Sequence, residues 1–357
     1  MTKKEYAFII PEETTARATD YLGKLVSGTE QPGTLLRDSL KNVVIGTLTT
    51  HDLIGRIIDT KPPRIYAETE VSGDGSDWNL TELGILGDIS IAVPVTIYDD
   101  GNHYVPTPHA HPFPGMLIFV PGALLRNGKG NIPADWNEAT EPHGRLSAEG
   151  YYKLYRRRLL PVLYYINQSA SAQRPALLTI PGLGCGQFAG PFQGQLGKWL
   201  KSALKRMLTE HGASLPNIKV VYFDPYSECG TSLDEISGIS FRVRPLKLSG
   251  THRKSQLCHP TAYEEQGDDF SNCALYSIVA WDHVSWPGND FYVGSRATDD
   301  GVKAAATSSM AMLTGTEGQY DPSLGKYLPP PPYHSWEDVI RKRDLRLWNP
   351  QAVWLAG

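Results

Sequence analysis

Residues 280–313 read AWDHVSWPGNDFYVGSRATDDGVKAAATSSMAML, and four carboxylates, Asp282, Asp290, Asp299 and Asp300, fall around the Pro-Gly turn within them. The apolar run 274–280 (ALYSIVA) leading into this stretch predicts a strand. Trp286-Pro287-Gly288-Asn289-Asp290 then interrupts regular structure, because Pro removes a backbone donor and Gly frees the chain. Beyond Thr298, the residues Val302, Ala305, Ala306, Met310 and Leu313 recur at helical spacing, so Asp299 and Asp300 fall at a helix N-terminus. Acids at a strand end, in a Gly-containing loop and at a helix start can converge on one cleft. Taken singly, each has a plainer reading: an Asp in a first helical turn contributes about 0.3–1 kcal/mol through the helix dipole, and Asp282 reads equally as an ordinary loop residue. The cluster, with Trp281, Trp286, Phe291 and Tyr292 beside it, is what argues for a site.

A second stretch supplies a partner for the first. The run 176–180 (ALLTI) reads as a buried strand, and PGLGCGQFAGPFQ (181–193) follows as a glycine loop. Leu196, Trp199, Leu200, Ala203, Leu204, Met207 and Leu208 then trace one face of a helix, and 219–224 (KVVYFD) reads as another buried strand. Such a β-loop-α-β unit is parallel and right-handed. Gly182, Gly184 and Gly186 let the backbone approach a ligand closely, while loop amides and the helix N-terminus attract negative charge. Tight-turn geometry explains the glycines equally well. No Lys-Ser/Thr follows, which excludes a Walker A loop, and G-x-G-x-G is not the dinucleotide fingerprint.

The 357 residues are 41% hydrophobic and 20% charged, which suits a globular protein of one large or two modest domains. A formal charge of −4 gives no electrostatic footprint for nucleic acid, and Arg156-Arg157-Arg158, inside a helical run, reads as a solvated face. Cys185, Cys229, Cys258 and Cys273 form no C-x-x-C pair, which points to a reducing compartment. No sustained apolar segment suggests a signal peptide or a membrane span, so a cytoplasmic protein without membrane partners is expected.

Along the chain, residues 1–65 are expected to form an N-terminal extension, with a helix near 15–26, an apolar run at 43–48 and no diagnostic chemistry. Strands are expected at 64–71 (RIYAETEV), 87–98 (GDISIAVPVTIY) and 115–125 (GMLIFVPGALL). His103, His109 and His111 lie in a Pro-rich segment without helical H-x-x-x-H geometry, so a surface loop bordering a cleft is preferred to a metal site. Ser147 is placed to cap a helix reaching about residue 167, with Tyr151, Leu154, Tyr155, Leu159, Val162 and Leu163 inward and a kink at Pro161. Residues 225–272 read as loops with one strand, Ile239–Val243, and Glu264, Glu265, Asp268 and Asp269 read as solvated. A loop at 315–320, a rigid Pro-rich spacer at 329–332 and a docking helix with Trp336, Val339 and Ile340 on one face complete the chain. The expected division is therefore 1–65, a core of 66–325 and a C-terminal segment of 326–357.

Together the loops 181–193 and 280–315 resemble those of macrodomains, the ADP-ribose-binding α/β/α modules, and are most similar to the MavL-like ADP-ribosyl-arginine hydrolases of that family. The resemblance implies a three-layer fold with a mixed central sheet. It assigns Gly182, Leu183, Gly184, Cys185, Gly186, Gln187 and Phe188 to the diphosphate and distal ribose, and Asn289, Phe291, Asp299 and Gly301 to the reacting ribose. Asp282, Asp290 and Asp300, spaced eight and ten residues apart like the family's functional aspartates, become the catalytic trio. Asp290 and Asp300 are then expected on the ribose and water side and Asp282 on the guanidinium side, with Phe188 or Phe291 free to pack on a sugar or base. An ordinary macrodomain carries its ribose loop before its diphosphate loop, so the order here is permuted. Gly87-Asp88-Ile89 is similar to the family's adenine-contacting segment, although a strand-initiating turn explains it as well.

The implied activity is removal of mono-ADP-ribose from an arginine of a protein, with ubiquitin the candidate target. Guanidinium stays protonated below about pH 12, and carboxylates can grip it, stabilise an oxocarbenium-like centre and activate water. An ester-linked glutamate would meet repulsion from three acids. No cofactor is required; Mg²⁺ is an option rather than an expectation, and the protein is expected to be monomeric. The alternatives are a non-catalytic ADP-ribose reader or a glycohydrolase acting on poly(ADP-ribose) or ADP-ribosyl-glutamate.

Overall fold

The computed structural model describes residues 6–63, 77–127, 130–248 and 252–356. The strand expected at 64–71 lies outside the described residues. A nine-stranded mixed sheet runs through the molecule in the order β11-β1-β2-β3-β8-β4-β5-β7-β6. The strands are β1 Ala7–Pro11, β2 Ser90–Asp99, β3 Pro108–Pro121, β4 Ala176–Pro181, β5 Ile218–Asp224, β6 Ser232–Ile236, β7 Ile239–Val243, β8 Ala274–Trp281 and β11 Val353–Ala356. A separate hairpin pairs β9 Gln319–Asp321 with β10 Lys326–Leu328.

The central strands explain themselves. Leu117 and Phe119 of β3 enter one hydrophobic core while Ile118 and Val120 enter the other, and Leu177 and Leu178 of β4 divide the same way. With both faces buried, the period-two alternation shows as an unbroken apolar run rather than as apolar and polar in turn. One core is closed by α1 Glu12–Ser27, α3 Thr50–Ile58, α4 Leu80–Asp88, α8 Asp299–Ala306, α9 Ser309–Thr314 and α10 Trp336–Lys342, and α2 Thr34–Leu40 adds Leu36 and Leu40. The other is closed by α6 Ala148–Ser169 and α7 Leu196–His211, and the short α5 Trp136–Ala139 adds Ala139.

The β4–α7–β5 unit forms as its spacing predicts, with β4 and β5 parallel and Ile180 opposite Phe223. Ser147 caps α6 by accepting the Gly150 amide at 3.2 Å. Strands β3, β8, β4, β5 and β7 are all parallel to their neighbours in that order. Their carboxyl ends therefore share one edge, where open α/β sheets place ligands.

Several expectations need correction. His109 and His111 do not lie in a loop: 108–114 continues β3, pairing with β2 alone until β8 joins at Gly115. Prolines are tolerated on such an edge, and the even spacing of Pro112 and Pro114 puts both missing donors on one side. Arg157 and Arg158 are not a solvated face. Arg158 is fully buried, donating to Asp135 Oδ1 at 2.7 Å, Asp88 Oδ1 at 3.2 Å and the Gly122 carbonyl at 2.9 Å. Arg157 meets Asp88 at 2.8 Å and Glu138 at 2.5 Å. Asp88 also pairs with Arg17 at 3.1 Å, so Gly87-Asp88-Ile89 serves the core and not an adenine. Asp268 clamps Arg242 of β7 and Glu265 clamps Arg244 just beyond it, rather than pointing into solvent. Finally, β9 begins inside the expected 315–320 loop, and the proline run turns at Pro331 instead of continuing as a straight spacer.

Candidate active site

A cavity of about 660 Å³ opens at the carboxyl ends of β8, β4 and β5. The glycine loop forms one wall, the turn from Asp224 to Glu228 a second, and Ala280, Trp281, Asp282, Asn289, Thr298, Asp299 and Asp300 a third, with Gly101, His103 and Tyr104 at the rim.

The glycine loop leaves β4 at Pro181 and doubles back at once: the Leu183 amide bonds the Pro181 carbonyl at 2.8 Å and the Cys185 amide the Gly182 carbonyl at 3.1 Å. Gly184 has φ +69°, and a Cβ there would stand 2.8 Å from the Ala123 amide nitrogen, so only glycine fits. Leu183 turns into the core rather than the cavity, and its carbonyl accepts the Tyr155 hydroxyl at 2.7 Å. Cys185 lines the cavity, but burial pushes its thiol well above the usual range, which leaves it unreactive. The loop closes in a 3-10 turn, Gln187–Phe192. The amides of Gly186, Gln187 and Phe188 at its start have no acceptor among the described residues, and all three residues line the cavity. These free donors form an anion cradle. The N-terminus of α7 does not contribute, because Glu228 already fills it, accepting the Gly194 amide at 3.1 Å and the Gly197 amide at 2.5 Å.

The acid loop is built by its own carboxylates. Asp282 follows the last residue of β8, and its Oδ1 accepts the Val284 and Ser285 amides at 2.7 and 2.6 Å. Its Oδ2 takes the Ser285 hydroxyl and, at 2.7 Å, the Asn289 side-chain amide. The chain reverses through Gly288 at φ +118° and Asn289 at φ +30°, a conformation that glycine adopts freely and Asn better than most residues. Thr298 caps α8 by accepting the Gly301 amide at 3.0 Å, which sets Asp299 and Asp300 in the first turn. Asp299 Oδ2 accepts the Ala280 amide at 2.8 Å and the Lys303 ammonium at 3.0 Å.

Asp300 is the anomalous member. Its Oδ1 accepts the Gly288 amide at 2.8 Å, while Oδ2, also buried, has no hydrogen-bond partner among the described residues. Burial, then the neighbouring Asp282, and further Asp290 and Asp299, push its pKa well above the ordinary carboxylate range, against the pull of the Gly288 amide. Lys303 beside Asp299 is shifted down by its own burial, although three acceptors, Asp299, Gln256 and the Ile278 carbonyl, hold its head in place.

Of the expected trio, Asp282 and Asp300 reach the cavity and are joined there by Asp299; Asp290 stands behind the wall. Its carboxylate pins the start of α8, taking the Ala297 and Thr298 amides at 2.7 and 3.2 Å and the Thr298 hydroxyl at 2.5 Å. Gly301 exists to admit it, since a Cβ there would lie 1.7 Å from Asp290 Oδ1. Phe291 is buried in the core and is not available to a sugar, whereas half-buried Phe188 lines the cavity. We therefore expect Asp290→Ala to lower stability by about 2–3 kcal/mol, the value of lost charge-assisted hydrogen bonds, with turnover and melting temperature falling together in paired assays.

Asp224, Tyr226 and Gln256 also line the cavity and were not foreseen. Asp224 had a signal, being the last residue of KVVYFD at the carboxyl edge of a parallel strand. It is buried, its Oδ1 accepting the Tyr226 and Leu246 amides at 2.8 and 2.9 Å, and burial raises its pKa, with Asp299 adding to the effect. His103 does border the cleft, bonded through Nδ1 to the Ala297 carbonyl at 3.0 Å.

A family model described as Macrodomain effector MavL matches residues 6–333. No curated protein matches the chain.

Proposed function

The chain belongs to the family of MavL macrodomain effectors, and from that premise we propose that it is an ADP-ribosyl hydrolase releasing mono-ADP-ribose from arginine side chains of a protein. One observation carries the reading: Asp300, a buried acid whose Oδ2 has no hydrogen-bond partner among the described residues, lines the same cavity as Gly186, Gln187 and Phe188, whose amides have no acceptor there. The amides take the diphosphate, and the ribose then extends toward α8 with its C1″ among the acids. As the C1″–N bond breaks, its electron pair goes to the guanidine nitrogen, and the proton held on Asp300 follows it. Water bonds to C1″ and gives its proton to Asp299, whose Oδ1 has no hydrogen-bond partner among the described residues. The products are ADP-ribose and guanidinium, and transfer of a proton from Asp299 to Asp300 through solvent resets the site. Asp282, with four donors on its two oxygens, holds Asn289 and the turn in place rather than exchanging a proton.

A cavity lined by Asp224, Asp282, Asp299 and Asp300 favours a departing guanidinium over a departing glutamate. The reading needs no metal and takes the protein to be a cytoplasmic monomer acting on a modified protein, ubiquitin being one candidate. Among the described residues, no helix is long and apolar enough to cross a membrane. The test offers arginine-linked and glutamate-linked ADP-ribosyl proteins and measures free ADP-ribose. The arginine linkage should be cleaved about 100-fold faster or more, with turnover unaffected by a chelator. ADP-ribose binding without release from either linkage would instead make the protein a reader.

A further inference from the structure

Lys61 lies more than two hundred residues before the acid loop and is buried beneath it. Its ammonium donates to the His283 carbonyl at 2.5 Å and sits 3.9 Å from the centre of the Trp281 ring. The next residue, Pro62, accepts the Trp286 amide at 3.1 Å. Two consecutive residues thus grip both ends of the turn that presents Asp282.

Buried ammonium groups are ordinarily matched by a carboxylate in direct contact. Among the described residues Lys61 has none: its contacts are a carbonyl and an aromatic face. The charges it faces at longer range are Asp282, in the turn it grips, and Asp300, at the start of α8. His283 is its other titratable neighbour, and it in turn faces Asp135 and Arg158. Asp300 is faced besides by Asp290 and Asp299, by Lys303 of its own helix and by Tyr292.

We propose that Lys61 is a positioning residue of the acid site, fixing the Asp282 turn against α8 and supplying the counter-charge for Asp282 and, once it has given up its proton, for Asp300. The proposal rests on the hydrolase reading above. Burial lowers the Lys61 pKa to about 7, with Asp282 and, when it is ionised, Asp300 drawing it back up. The reciprocal holds: the ammonium opposes the upward shift of Asp300, and without it Asp300 would keep its proton to still higher pH.

The test compares wild type with Lys61→Met, similar in length but neutral, and Lys61→Arg, which restores charge. Calorimetry with ADP-ribose and kcat across pH on an arginine-linked substrate are the readouts. Lys61→Met should bind ADP-ribose within about threefold of wild type, because the amide cradle is untouched, yet lose about tenfold or more in kcat at pH 7. Its alkaline fall in activity should move up by about one pH unit, and Lys61→Arg should recover most of the kcat. Unchanged kcat and pH profile in Lys61→Met overturn the proposal, as does a parallel loss of binding and kcat with the profile unmoved. If Lys61→Met does not fold, tryptophan emission of the wild-type protein decides: a transition near pH 7 that Trp281→Phe abolishes supports the placement, and its absence refutes it. A wild type that releases no ADP-ribose while showing that transition places the fault in the hydrolase reading and leaves Lys61 where we put it.

Discussion

Asp300→Asn lowers turnover by about 10²–10⁴-fold, the range for losing a general acid, while ADP-ribose still binds and the protein still folds. The amide matches the carboxyl in shape, and its oxygen can keep the Gly288 amide bond now 2.8 Å long. What it cannot do is give a proton to a departing nitrogen. Stability separates this outcome from damage. The folded-state pKa of Asp300 is raised, chiefly by burial, so its contribution to stability is fully present below the unfolded-state pKa and is lost as pH rises through the folded value. The asparagine variant has no such loss. Its melting temperature should therefore gain on that of wild type as pH is raised from 5 to 9. Scanning fluorimetry and ADP-ribose release over the same pH series check both halves. Retained turnover in Asp300→Asn would remove Asp300 as the acid, and a melting temperature that falls on alkalinisation as steeply as in wild type would show that the carboxyl is not strained by burial.

The same residue shows what a sequence can reveal about this site. Asp300 and Asp282 were legible because a strand end, a Pro-Gly turn and a helix start are punctuated by residue type, and the acids sit at the punctuation. The strand–glycine loop–helix unit was legible for a related reason: β4 and β5 are buried almost throughout, so their sequences are largely apolar, the first followed by Gly182 and the second ending in Asp224. Asp290 shares the spacing of the functional aspartates, yet its carboxylate turns to the Thr298 hydroxyl instead of the cavity, a direction that no spacing encodes. Arg158 did carry a signal. It stands seven residues after Tyr151 and four after Leu154, on the apolar stripe of α6, and an arginine there must find buried acids. Those acids, Asp88 and Asp135, come from elsewhere in the chain and could not be paired with it by periodicity. Lys61 had no signal at all, since its partners are a ring face and a backbone carbonyl more than two hundred residues away.

The phosphate end of the site has its own decisive substitution. Gly186 lines the cavity, and a Cβ added to it meets no atom within 4 Å, so a side chain can be carried there without disturbing the loop. Gly184 offers no such freedom, being pressed against Ala123. Gly186→Glu brings a carboxylate over the amides of Gln187 and Phe188, the donors left free for an anion. A ligand diphosphate then faces a like charge instead of open N–H groups, a penalty of about 3 kcal/mol, which weakens ADP-ribose binding about 100-fold or more. The melting temperature should stay within about 2 °C of wild type, because nothing in the core is touched. Calorimetry with ADP-ribose measures the loss, and adenosine, which lacks phosphate, is the control whose weaker binding should change little. If Gly186→Glu binds ADP-ribose as wild type does, the diphosphate does not rest on this turn. The acids around Asp300 would then face some other part of the ligand, and the hydrolase reading would lose the geometry that brings C1″ to them.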